Sequence, residues 1–297
     1  MNKRGKGLLV LLFAMIFLAE IAISAVSAWA VDVTLYCFKS GFIRTTTDFM
    51  LKDTRKGVPF DSPIPFFLIK HGSEWVAIDT GNNIRCARDP EPYYGKDIYK
   101  LFQPYMTASE EFVPQIAKMG LKPTDLKAVI LTHSHMDHAG AIEHFANTGV
   151  PIILQKKEYE WTKKWVGEGK RTITPLDDPA IWKQLNWKQI EGVYDVFGDG
   201  TVVLIPTPGH TAGSQSILVR ISKGGKEIKN AILLGDAMYT MENLEAWVQA
   251  GYPQDPAAFW LSAENMKLWR IMGFYLVPGH DDGFFSRCAL APWPMFE

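Results

Sequence analysis

The chain has 297 residues, 47% of them hydrophobic and 21% charged, with a formal net charge of −1. That length suits one large domain or two similar halves sharing one core, and the balanced charge gives no reason to expect nucleic acid or anionic lipid as a partner. Three cysteines, Cys37, Cys86 and Cys288, permit at most one internal disulfide and supply no metal-ligand motif.

Lys3, Arg4 and Lys6 precede an apolar run from Leu8 to Ala19, and Ala28-Trp29-Ala30 offers a small-x-small cleavage site, so residues 1–30 read as a secretory signal peptide. A retained membrane anchor would bury Glu20 in mid-span at a cost of ~2.5–3.5 kcal/mol. Cleavage near Ala30 removes three of the 31 basic and one of the 32 acidic residues and leaves a soluble mature chain, 31–297, with a formal charge of −3. The expected place of work is outside the cell or in a periplasm. Monomer and homodimer both remain open.

Apolar runs predict strands near 31–38, 65–70 and 74–79, with His71-Gly72-Ser73 as the hairpin turn between the last two. Thr107 to Glu110 resembles a capping box for a helix that ends near Gly120, although Pro114 interrupts its start. A strand at 128–132, a helix at 138–145 and a strand at 151–154 complete a first half. A second half follows with strands near 201–205, 214–221 and 228–234, a helix near 256–271 and a strand at 274–277; Asp199-Gly200 and Gly224-Gly225 mark its turns. Two long aromatic stretches, 82–106 and 156–187, fall outside this pattern and would either enclose an apolar ligand or form a satellite core.

Five of the seven histidines fall in three motifs: His133-Ser-His135-Met-Asp137-His138, Pro208-Gly209-His210 and Pro278-Gly279-His280. A lone histidine is weak evidence, and Asp137 alone could be a helix cap. Four donors within six residues, delivered by the strand Ala128 to Leu131, point instead to a metal site. Imidazole and carboxylate donors without cysteine suit zinc or another first-row divalent ion. Each later histidine follows a buried strand and a Pro-Gly turn, and a further strand ends in Gly235-Asp236. Strand ends along one sheet edge are where open α/β architectures place their sites.

These motifs resemble the metallo-β-lactamase superfamily, whose pattern is HxHxDH followed by a distant His, Asp and His. Within it the chain most resembles the N-acyl homoserine lactonases, quorum-quenching enzymes that open the lactone ring of bacterial signals. The likeness rests on Ala77 to Gly81, Thr132 to Gly140, Thr207 to His210, Gly235 to Tyr239 and Gly279 to Asp281. It implies an α/β fold, an αββα sandwich of two mixed sheets flanked by helices. It also implies two divalent metal ions per chain, zinc foremost, with iron, manganese or cobalt as alternatives. His133, His135 and His210 would hold one ion, Asp137, His138 and His280 the other, and Asp236 would bridge them. Asp79 would support the site by hydrogen bonds. Met136 stands where lactonases commonly carry an aromatic residue.

The reaction this implies is attack of a metal-bound hydroxide on the carbonyl of a small lactone bearing an acyl chain. Asp137 would relay the proton from water to the leaving alkoxide, and Tyr239 would hydrogen-bond the substrate carbonyl or ring oxygen. The competing readings are a thioesterase of glyoxalase II type, a β-lactamase, an iron-dependent persulfide dioxygenase and a non-catalytic metal-binding protein. Tyr239 and the export signal argue against the thioesterase. The full set of seven ligands argues against a degenerate binding protein.

Overall fold

The computed structural model describes residues 31–167, 179–251 and 253–297. The expected signal peptide and part of the 156–187 stretch lie outside these residues. Among the described residues, no helix is long and apolar enough to cross a membrane.

Two long strands, β1 (Val33–Thr46) and β2 (Pro59–His71), pair antiparallel from Val33 opposite His71 to Thr46 opposite Pro59. β3 (Glu74–Ile78) returns antiparallel along the end of β2, and a short β4 (Gln103–Tyr105) flanks the outer half of β1. β5 (Ala128–Ile130), β6 (Pro151–Gln155) and β7 (Asn186–Ile190) then add in parallel. The second half contributes β8 (Tyr194–Asp195), β9 (Val202–Pro206), β10 (Gln215–Lys223) and β11 (Lys226–Leu233), all antiparallel, with β12 (Tyr275–Val277) parallel to β11.

Three apolar layers make this a helix–sheet–sheet–helix sandwich. Successive residues of a strand point to opposite faces, so Leu35, Ile69, Ile78 and Ile130 of the first half can share one cluster with Leu204, Ile217, Val219 and Leu233 of the second. On the opposite face of the first half, Phe66, Leu68, Val129 and Ile152 pack with Phe112 and Ile116 of helix α1 (Phe112–Ala117). On the outer face of the second half, Val203, Leu218 and Ile232 pack with Phe259, Ala263 and Met266. These three belong to helix α3 (Pro256–Ile271); helix α2 spans Lys156–Gly167 earlier in the chain. The strand ladders of the two halves join through one residue pair, Val33 with Ser222. The expected pair of sheets is therefore one continuous 12-stranded network whose halves face each other across the central cluster.

Other departures from the sequence reading have local causes. The helix expected at 138–145 is a loop ending in a single 3-10 turn, Ile142–Phe145. The His138 carbonyl, which would accept the bond of a helical turn, instead accepts the Thr80 N–H at 2.6 Å and the Thr80 hydroxyl at 3.1 Å. β2 begins at Pro59 rather than near 65. Its prolines 59, 63 and 65 lie where it pairs with β1 alone, since β3 joins only from Phe67, and a one-sided strand tolerates missing N–H donors. The capping-box residues Thr107 and Glu110 start only a 3-10 turn; the helix itself begins at Phe112, capped by Glu111. The 82–106 stretch holds short helices at Pro90–Tyr94 and Lys96–Tyr99 as well as β4.

Candidate metal centre

All seven ligand candidates meet at one edge of the sandwich, each carried by a segment that leaves a strand. β5 delivers His133, His135, Asp137 and His138; β9 delivers His210; β11 delivers Asp236; β12 delivers His280. Glycine permits two of these turns. Gly209 has φ +139°, and a Cβ there would lie 2.4 Å from the backbone of Phe259; Gly235 has φ +51°, with Thr132 2.9 Å from where its Cβ would stand.

The donor atoms fall into two groups, His133, His135, His210 and Asp236 in one and Asp137, His138 and His280 in the other. In the first, His210 Nε2 is 3.1 Å from His133 Nε2 and 2.9 Å from His135 Nδ1. In the second, His138 Nε2 is 3.4 Å from His280 Nε2, and each lies 3.6 Å from Asp137 Oδ2. Asp236 joins them. Its Oδ2 is 3.1 Å from His210 and 3.5 Å from His133, while its Oδ1 is 3.0 Å from His138 and 2.8 Å from His280.

These contacts fit cations better than hydrogen bonds. Asp236 Oδ1 is buried within 3.0 Å of two imidazole nitrogens and yet makes no hydrogen bond of acceptable geometry. A first-row ion held at about 2.0–2.1 Å in a tetrahedral shell needs ligand atoms roughly 3.3–3.4 Å apart, and the separations above bracket that value.

Charge in the first ligand group agrees, whereas His138 and His280 are raised above the ordinary histidine range because burial is outweighed by the Asp236 and Asp137 carboxylates. Burial, reinforced by the neighbouring imidazoles, pushes His133 and His135 well below the ordinary histidine range and so keeps them in the neutral, metal-binding form. Burial opposes charge on Asp236 too, but His280, His138, His210 and His133 outweigh it and hold the carboxyl well below its usual value.

Outer contacts fix which nitrogen of His138 and of His280 faces inward. His138 Nδ1 is 2.8 Å from Asp79 Oδ2, and His280 Nδ1 lies 2.9 Å from the Pro63 carbonyl oxygen, so Nε2 points to the centre in both. Asp79 has φ +57° at the end of β3, and its carboxylate also accepts the Thr132 N–H at 2.7 Å and the Thr132 hydroxyl at 2.8 Å. Tyr239 Oη is 3.1 Å from His210 Nδ1. The two remaining histidines stand apart from the centre: His71 pairs with Asp199 at 2.7 Å, and His144 with Glu111 at 2.7 Å.

Sequence reasoning overlooked Glu158 on α2. Its buried carboxylate accepts the Ser134 N–H and hydroxyl at 2.9 and 2.8 Å, and the Thr211 hydroxyl and Gly213 N–H at 2.6 and 3.1 Å. It thereby braces the HxHxDH loop against the loop of His210. The only available signal is an acidic residue in the lysine-rich stretch 156–164, which reads as a solvated helix face.

The centre opens into a cavity of about 490 Å³, within the range of small-molecule sites. His135, Asp137, His210, Asp236, Tyr239 and His280 form one end, and Met136 lines it as well. Phe49, Met50, Ile98, Leu101 and Phe102 give the rest an apolar wall. The 82–106 stretch thus lines the cavity, whereas the other aromatic stretch divides: Tyr159, Trp182 and Trp187 pack against one another in the cluster under α1, and Trp161 packs edge-on against His135, with ring centroids 5.9 Å apart.

A sequence profile of the metallo-beta-lactamase superfamily matches residues 61–280. The chain belongs to that superfamily. Within it, the N-acyl homoserine lactonase AttM of Azorhizobium caulinodans is 32% identical over 270 residues, which are 90% of this chain and 97% of the relative, so the chain also falls in the lactonase family. A structure of Bacillus thuringiensis AiiA, a variant with N-decanoyl-L-homoserine bound at its active site, superposes with a TM-score of 0.76 at 27% identity, covering 89% of this chain and 99% of AiiA. An N-acyl homoserine lactone hydrolase with N-hexanoyl-L-homoserine bound at its catalytic metal centre has the same TM-score, identity and coverage.

Proposed function

We propose that this chain opens the ring ester of N-acyl homoserine lactones, with two zinc ions as cofactors. The observation that carries this reading is Asp236, whose two oxygens face two separate histidine groups at the polar end of an otherwise apolar cavity. A lactone head would sit at the ligand cluster and an acyl chain against Phe49, Leu101 and Phe102. The molecules bound by the solved relatives, N-decanoyl- and N-hexanoyl-L-homoserine, have the same division into a polar head and an apolar tail. Zinc is favoured over the other first-row ions because every donor is an imidazole nitrogen or a carboxylate oxygen at tetrahedral spacing.

When bound, the ions would supply an acidified water and a Lewis acid for the carbonyl. The protein groups do the rest. Asp137, 16% exposed against 5% for Asp236, would take the proton of the attacking water and return it to the ring oxygen as the carbonyl–oxygen bond breaks. The products are a carboxylate and a free hydroxyl. Tyr239 remains a neutral phenol, because burial and then the Asp236 and Asp137 carboxylates push its ionisation well above the ordinary value. With Nε2 of His210 committed to an ion, its Nδ1–H would donate to Tyr239 Oη, which leaves the phenolic O–H to donate to the substrate carbonyl.

The basic, apolar and small-residue order of segment 1–30 supports export and a periplasmic enzyme in a cell with an outer membrane. N-terminal sequencing of the native protein should begin near Val31. Activity is tested by following acid release from acyl homoserine lactones, a penicillin and a glutathione thioester. Lactone opening that is lost in His135→Ala supports the proposal. Fast thioester cleavage without lactone opening sinks it.

A further inference from the structure

Apart from the ligand cluster itself, the lining of the cavity holds two polar groups that no described residue satisfies. Thr45 and Tyr94 both line it, both are at most 5% exposed, and both hydroxyl oxygens are buried without a hydrogen-bond partner among the described residues. Thr45 projects from β1 on the same face as Ile43, two residues away, and Tyr94 belongs to the cluster built on Ile43, Ile64 and Met136. The hydroxyls therefore lie in the wall that meets the metal end at Met136.

A buried hydroxyl without a partner destabilises a fold relative to an apolar side chain of the same shape. Phenylalanine and valine would fill these positions equally well. Residues retained against stability inside a ligand cavity commonly serve the ligand. A tyrosine hydroxyl and a threonine hydroxyl can each donate one hydrogen bond to an acceptor oxygen.

Resting on the lactonase reading above, we infer that Thr45 and Tyr94 form a polar subsite that takes an acceptor oxygen on the acyl arm of the substrate. Two oxygens have that chemistry: the amide carbonyl, present in every acyl homoserine lactone, and a keto or hydroxyl oxygen further along the chain. A subsite for the acyl arm acts on recognition and leaves the ester chemistry to Asp137 and Tyr239.

The test compares three lactones of equal chain length on the metal-loaded full chain: an alkyl lactone without an amide, an unsubstituted acyl homoserine lactone, and its 3-oxo counterpart. Thr45→Val and Tyr94→Phe should each lower kcat/KM by about 3–10-fold on substrates bearing the recognised oxygen, the value of one neutral hydrogen bond, and leave the alkyl lactone unchanged. A loss that begins with the unsubstituted acyl homoserine lactone assigns the amide; one confined to the 3-oxo substrate assigns the chain oxygen. Both variants should melt at or above the wild-type temperature, which separates lost recognition from lost folding. Equal losses on all three lactones, or no loss on any, overturn the subsite while leaving the lactonase reading in place. A wild-type protein that opens none of them overturns both.

Discussion

The Glu158 carboxylate accepts both the backbone N–H and the hydroxyl of Ser134, the residue between two metal-ligand histidines, and so ties helix α2 to the loop that leaves β5. The same carboxylate reaches Thr211 beside His210. Glu158→Ala would strand two buried backbone donors, the Ser134 and Gly213 N–H groups, at about 1–3 kcal/mol for each left unsatisfied, while the Ser134 and Thr211 hydroxyls keep Thr162 and Ser214 within 2.6 Å. The variant should melt well below the wild type and bind metal about 10–100-fold more weakly, as expected when a group that positions ligands is lost. Calorimetry and a metal titration check this. Unchanged metal affinity would show that the two loops hold their shape without Glu158.

Tyr239→Phe should separate metal binding from catalysis. The phenol is the partner of His210 Nδ1 at 3.1 Å, and in the proposed reaction it would donate to the developing negative charge on the carbonyl. A hydrogen bond to charge contributes about 1.5–3 kcal/mol, so kcat should fall about 10–100-fold while metal content stays at the wild-type level. Elemental analysis beside steady-state kinetics checks both halves.

What could be read in the sequence follows how local each signal is. α3 spans Pro256–Ile271 as expected, because Asp255 accepts the Ala257 and Ala258 N–H groups and Pro256 occupies the first turn. The convergence of the seven ligands was legible in the strand-and-turn context of each motif. Glu158 was not, because its partners are 24 to 55 residues away and only the folded chain brings them together. The missing helix after His138 has the same origin: its decisive contact comes from Thr80, which lies 58 residues earlier. The subsite at Thr45 and Tyr94 is visible only as an absence of partners, which no sequence pattern encodes.

Stability should depend on pH through His144 as well as through the metal site. The Glu111 hydrogen bond, opposed by partial burial, raises His144 above its ordinary value. A folded-state pKa above the unfolded one means that the pair stabilises fully below the unfolded value, about 6.5, and that this contribution is lost as pH rises through the folded pKa. His144→Gln should therefore lower Tm more at pH 5.5 than at pH 9. The side chain is 35% exposed, so the effect is that of a solvent-screened pair. Equal shifts at both pH values would remove the ion pair from the account.

Gly209 offers a test of how a backbone position controls the first group of ligands. Its φ is +139°, and a Cβ would stand 2.4 Å from both N and Cα of Phe259, backbone atoms of α3 that cannot turn aside as a side chain can. Gly209→Ala must therefore push the His210 loop away from α3. Its carbonyl accepts the Asp255 N–H at 3.0 Å, so the displacement also strains the start of that helix. Overpacking of this kind costs about 1–3 kcal/mol, and the strained φ adds to it. Because His210 is the next residue, the ion held with His133 and His135 should be lost before the ion held by His138 and His280. Metal-to-protein ratios near one, where the wild type gives two, would report that selective loss. Gly224→Ala is the control: φ is also positive, at +57°, but nothing lies within 4 Å of the added carbon. It should cost only the local backbone strain and leave both ions bound; if it empties the site equally, the steric argument for Gly209 fails.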